Sequence, residues 1–228
     1  MTDPHAGSAA PSTSPKPSSN AAPRAGEPAR IWLEAFQALA DLVAHDLRNA
    51  LNAVAVNLEV VRGRSARGAE AAAIAPFAAT AAGNFEIAAA ATEALLGLAR
   101  PEPGRIDVAA LLTRLERLLA ISGERRLELT DRSGGQASSA IPADLIRAVV
   151  ARSVLAALHA SERAACEITV DDGIFLRVTG AILVPPMDDS GLVSVARAHG
   201  IRFESRGQSL EIRIPAIDHR AETLHDPS

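Results

Sequence analysis

Leu39, Val43, Leu47, Ala50, Val54, Leu58 and Val61 recur at steps of four, four, three, four, four and three residues. At about 100° per residue these positions stay on one side of a helix, which predicts an apolar seam of the kind that packs in a bundle. Trp32 and Phe36 lead into the seam, and Pro28 suits a first helical position, where a missing N–H costs nothing. One helix of about 35 residues is therefore expected from about Ala29 to about Arg62, long enough to imply a bundle or coiled coil. GRSARG at 63–68 reads as the turn of an antiparallel helical hairpin. Residues 69–99 are Ala-rich and favour helix, with Phe77, Ala81, Phe85, Ala88, Thr92, Leu95 and Ala99 as an apolar face of mostly small side chains. Pro76 should begin that helix or kink its first turns. Two such helices cannot close a core alone, so pairing of two chains in a homodimeric four-helix bundle is expected.

After PEPG at 101–104, a hinge, the pattern turns to mixed helix and strand. DVAALLTRLERLLAI (107–121) is an amphipathic helix with Asp107 as its N-cap. Arg126–Thr130 alternates like a strand, DRSGGQASSA reads as a flexible stretch, and Pro142 opens a helix to about Ala160. CEITV and IFLRV flank a turn at Asp171-Asp172-Gly173, forming a hairpin. A loop at 180–190 precedes a helix at 191–199 that ends at Gly200. IRFES and SLEIRIP make a second hairpin around Arg206-Gly207.

Composition narrows the function. Residues 1–28 hold six of the fourteen prolines among Ser, Ala and Thr, a disordered tail by composition, and a second tail starts near residue 217. The domains expected between them are a helical hairpin at 29–100 and an α/β domain at 105–216. A net charge of −4 with dispersed basic residues argues against nucleic acid. The one cysteine, Cys166, excludes an internal disulfide and a multi-cysteine zinc site, and reads as a buried, inert thiol. No apolar run approaches the about 20 residues of a membrane span, and no charged-then-apolar leader is visible, so a cytoplasmic protein without membrane contact is expected. His5, His219 and His225 read as solvated tail residues, while His159 and His199 suit helix C-termini, where a partly cationic ring meets the dipole.

His45 stands apart. It falls about 200° round the helix from Val43, with Asp41, Arg48, Asn49 and Asn52 on its side. An exposed histidine on a rigid helix, ringed by hydrogen-bonding side chains, is a candidate nucleophile or ligand. Its surroundings, HDLRNALN, resemble the phosphoacceptor box of bacterial sensor histidine kinases, with Ala50 where that family usually has Pro. The resemblance implies a first helix of a dimeric four-helix bundle. The order of elements after residue 105 resembles the family's ATP-binding α/β sandwich, most clearly in SGLVSVARAHGIRFESRGQSLEIRIP, which matches a final helix, hairpin and edge strand. The expected fold class is thus α plus α/β: a helical hairpin forming a dimeric four-helix bundle, then a degenerate ATPase-like sandwich.

Degeneracy is expected because three parts of that family's nucleotide site do not match. In LIRAVVARSVLAAL, Arg152 and Ala156 stand at the two Asn positions, and Ala cannot ligate a hard cation. In VTGAILV, Gly180 stands where an adenine-reading Asp is required. SGLVSV keeps Gly191 and has Val193 for the partner glycine, with few residues between Gly180 and Gly191 for a lid. Asp188 and Asp189 lack a third ligand and read as a solvated loop. No bound cofactor is expected, and Mg²⁺ is expected on the partner.

The resemblance then implies a histidine phosphotransferase that relays phosphoryl groups between receiver domains of response regulators. His45 is the acceptor, since an ordinary imidazole titrates at about 6.5 and offers a neutral ring nitrogen at pH 7. Asp46 is expected to hold the other nitrogen, and Asn49, one turn on, to reach the same phosphoryl group. Arg48 and Asn52 border the site, Arg48 either offsetting phosphate charge or simply solvated. Val56 and Val60, on the His45 side, either pack on the second helix or, as is expected ahead of that, form an apolar floor for the receiver. Two rivals remain: a divergent kinase with autokinase or regulator-phosphatase activity, and a non-catalytic dimeric scaffold or kinase-regulating module.

Overall fold

The computed structural model describes residues 26–100, 104–121, 125–180 and 191–217. Helix α1 runs Glu27–Ala66 and α2 runs Ala71–Ala99. The first helix is longer than its pattern predicts, because Gly63 stays helical and the turn begins only at Arg67. Gly68, at φ +73°, ends it: its N–H donates to Ser65 O and that of Ala69 to Arg64 O. That paired cap requires a left-handed residue, which glycine supplies without steric cost. Pro76 lies inside α2, which starts five residues before it rather than at it.

The hairpin is antiparallel, with Arg64 donating to Ala73 O and stacking 4.4 Å over the Phe77 ring. Leu39, Val43 and Ala50 of the expected seam are buried, but Leu58 is 53% exposed. On α2, Ala81 and Ala88 are buried, whereas Phe85 is 59% exposed and the buried side moves to Ala91, Ala94 and Leu98. The drift has a cause in packing: the C-terminal half of α2 also lies against helix α3, Val108–Leu119.

Strand β1 (Ile106–Asp107) leads into α3, whose N-cap is Asp107, accepting from the Ala110 N–H at 3.1 Å. β2 (Arg126–Arg132) extends past its expected end. The stretch read as flexible also contributes β3 (Ser138–Ser139), antiparallel to β1. Helix α4 (Ala143–Ala160), the hairpin of β4 (Arg163–Val170) and β5 (Ile174–Thr179), helix α5 (Leu192–Ala198) and the hairpin of β6 (Arg202–Arg206) and β7 (Ser209–Ile214) follow. The sheet order is β2-β4-β5-β7-β6, with β2 parallel to β4 and every other pairing antiparallel. The last strand is therefore interior, and β6 forms the edge. The architecture is α+β.

Alternation puts Cys166, Ile168, Leu176, Val178, Leu210 and Ile212 on the inner sheet face, while Glu167, Arg177 and Glu211 pair across the outer one. The inner face, α3 and α4 share one continuous core with Ile31, Trp32, Ala35, Leu39 and Val43 of α1 and with Leu98 of α2. Burial pushes the Cys166 thiol up to about 12, with Glu116 adding to the effect, so it is no nucleophile at neutral pH.

Candidate functional site

Helix α1 places the candidate residues by simple rotation. Taking Ala50, buried at the hairpin interface, as origin, His45 lies about 140° to one side. Val60, Asn49, Val56 and Asn52 lie on the same side, all five within an arc of about 80°. His45, Asn49 and Asn52 are exposed, Val56 is 64% exposed and Val60 is partly buried. Arg48 is exposed about 60° beyond His45, at the border of the arc. Asn49 follows His45 by one turn, on the same exposed strip.

Asp46 behaves differently. It is partly buried, about 100° from His45, and no hydrogen bond joins the two among the described residues. Successive helix positions do not face each other, so the adjacent carboxylate does not hold the ring. Among the described residues neither nitrogen of the His45 ring has a hydrogen-bond partner.

One member of this surface escaped the sequence pattern. Ile87 of α2, 48% exposed, lies about 100° to the His45 side of buried Ala88. The register set by the Arg64–Ala73 bond puts it about level with Ala50–Val54. An Ala-rich helix hides such a residue, because its neighbours carry little contrast. A lone isoleucine off the main face was the available signal.

Leu51 and Leu58 on α1, and Phe85 and Leu96 on α2, form the opposite flank; all four are 48–59% exposed. In an antiparallel pair, rotations of the same sign fall on the same side. Leu51 lies about 100° from Ala50 and Phe85 about 60° from Ala88, both away from His45.

The positions matched to a nucleotide site are occupied. A Cβ on Gly180 would sit 2.8 Å from Ala157 Cβ and 3.1 Å from its Cα, closer than real side chains approach. Arg152 is engaged by Glu34 at 3.1 Å, and Ala156 packs partly buried against the core. Asp188 and Asp189 lie outside the described residues, as do His5, His219 and His225. His159 and His199 each bond a carbonyl one turn back, Leu155 O and Val195 O. Among the described residues no cluster of three His, Cys, Asp or Glu could hold a metal ion, and no helix is long and apolar enough to cross a membrane.

No family model and no curated protein matches the sequence. Among solved structures the chain is similar to a bacterial phosphotransferase, at 15% identity and TM-score 0.35, covering 85% of this chain and 98% of that one. It is also similar to the Acinetobacter baumannii histidine kinase AdeS, at 14% identity and TM-score 0.36, covering 76% of this chain and 98% of that one.

Proposed function

We propose that the protein is a histidine phosphotransferase that passes phosphoryl groups between receiver domains of response regulators without using ATP. The observation that carries this reading is the contrast between an open His45 and a filled α/β domain. The imidazole stands exposed beside Asn49 on a rigid helix, whereas the Gly180 position has no room for a carboxylate side chain.

In the forward step a neutral ring nitrogen of His45 attacks the phosphorus of an aspartyl-phosphate on the receiver. The N–P bond forms as the P–O bond to the aspartate breaks, releasing the carboxylate, and the second ring nitrogen keeps its proton. Transfer to a second receiver reverses these bonds. The Mg²⁺ that offsets phosphoryl charge belongs to the receiver. Asn49 lies within reach of the same group, and Arg48 and Asn52 border it. Val56, Val60 and Ile87 form the apolar floor of the docking surface, a modest patch of the sort partners cover.

The opposite flank takes a second copy of the chain. Leu51, Leu58, Phe85 and Leu96 make one apolar stripe along both helices, and two such stripes face to face complete a four-helix bundle with both histidines outward.

Purified protein mixed with a panel of phosphorylated receiver domains tests the function. Label should move to the wild type and not to His45→Ala, and radiolabelled ATP alone should label neither. Failure of every receiver to label His45 would overturn the proposal; labelling by ATP alone would restore the kinase reading.

A further inference from the structure

Two arginines of α4 grip the two helices of the hairpin at separate points. Arg147, 2% exposed, donates through Nη2 to Arg100 O at the end of α2, at 2.7 Å. Its guanidinium also lies 5.7 Å from the Trp32 ring centroid on α1 and 3.6 Å from Asp144. Arg152, five residues on, pairs through Nη2 with Glu34 Oε2 at 3.1 Å. Between these points Ile31, Ala35 and Leu39 are fully buried. At the start of α1, Glu27 adjoins the residue before α5: a Cβ on Gly191 would meet its Oε1 at 3.7 Å. The first four turns of α1 thus lie across α4 and reach α5, apolar in the middle and charged at both edges. A guanidinium withdrawn from water is costly to hold, and taking away its partner leaves that cost uncompensated.

The direction of this grip matters for His45. Glu34 and His45 are separated by about 20° of rotation and about 16 Å of rise along one helix. The edge of this contact at Glu34 therefore lies on the side of α1 that carries His45, about three turns below it. Ala35, Leu39 and Trp32 at its buried centre lie about 80–140° round the helix from His45. Transfer from a donor on that domain would need reacting atoms about 3–3.5 Å apart.

We infer that α4 is a two-arginine clamp that holds the α/β domain on the first four turns of α1 as one rigid body with the hairpin, keeping that domain from reaching His45. The clamp stands on contacts alone; its consequence, that His45 is served only by other proteins, rests on the proposed function. Because α4 occupies the lower part of the His45 side, the open approach lies toward the hairpin turn.

The test uses the full, unphosphorylated chain in a Cys166→Ala background, with spin labels on Glu59→Cys and Arg163→Cys, both exposed, diluted with unlabelled protein to suppress interchain pairs. Dipolar spectroscopy should give one narrow distance distribution. In the unlabelled chain, Arg152→Glu should speed hydrogen exchange of amides 27–39 at least about tenfold, and adding Glu34→Arg should return it to the parent rate. A broad or two-peaked distribution, or exchange unmoved by Arg152→Glu, overturns the clamp. Neither readout involves phosphate, so a failed clamp leaves the transfer assay standing, and a failed transfer assay leaves the distances standing.

Discussion

Gly180 gives the sharpest test of whether the α/β domain has room for a nucleotide-reading side chain. A methyl at this position would lie 2.8 Å from Ala157 Cβ, 3.1 Å from its Cα and 3.3 Å from its carbonyl oxygen. Two of those three atoms are backbone, and Ala157 is fully buried, so the contact cannot be relieved by a rotamer change. Overpacking of this kind costs about 1–3 kcal/mol. Loss of glycine's freedom in the unfolded chain offsets about 0.4–1 kcal/mol. Gly180→Ala should therefore destabilise by about 1–2 kcal/mol, read as a lower urea midpoint with an unchanged slope. Ala157→Gly alone costs about 1 kcal/mol in a helix interior. Together the two should cost about 1–2 kcal/mol less than their sum, since removing one methyl makes space for the other. Gly180→Asp, which restores the carboxylate of the kinase pattern, should lower stability further and bring no binding of a fluorescent ATP analogue. A Gly180→Ala protein at least as stable as the parent, or strictly additive costs, would refute the steric argument.

Three further outcomes follow from the same geometry. Val56→Glu, at a site 64% exposed, should change folding stability by less than about 0.5 kcal/mol and leave the dimer intact, yet lower transfer from a cognate receiver at least about tenfold; an unaltered rate removes Val56 from the docking surface. Leu58→Glu combined with Phe85→Glu should convert a dimer to monomer in sedimentation without unfolding α1, and a dimer that persists would move the interface elsewhere. Stability should be insensitive to Cys166 below pH 9.0 and fall between pH 9.0 and about 12, because the unfolded thiol ionises in that range while the buried one stays neutral. At about 1.36 kcal/mol per pH unit the full loss is on the order of 4 kcal/mol, and Cys166→Ala should abolish this component; an identical alkaline slope in the variant would show that the thiol is not its source.

Much of this fold is legible in the chain because its elements carry strong local signals. The Asp107 cap, the hairpin at Asp171–Gly173 and the turn at Gly207 each rest on residues whose own chemistry dictates the geometry. The side of α1 that bears His45 follows from rotation alone. What could not be read depends on contacts distant in sequence. Gly63 looks like a breaker yet stays helical, because the paired cap at Gly68 supplies the real end. Leu58 and Phe85 fit the period of a seam, yet both are more than half exposed, because the buried side of each helix is set by the elements it packs against. The short β3 takes its partner from Ile106–Asp107, before α3, which no local pattern announces. Arg147 shows the limit best: the Trp32 ring and the Arg100 carbonyl that surround its guanidinium lie far from it in the sequence.

The length of α1 ties these features together. It exceeds α2 by eleven residues, 40 against 29, and the excess lies at its N-terminal end. A hairpin of two equal helices would leave Ile31, Trp32 and Ala35 bare; here they enter the core shared with α4. Helix α1 thus serves two uses in sequence: its first turns, through Leu39, are closed over by the α/β domain, and the strip from His45 to Val60 lies open. A receiver whose aspartate meets His45 then has its apolar footing fixed on one side only, over Val56, Val60 and Ile87. The seam separates this footing from the stripe at Leu51, Leu58, Phe85 and Leu96, proposed above for a second copy of the chain, which faces away. The proposed phosphoryl transfer and the proposed dimer assembly would therefore use one pair of helices without either blocking the other.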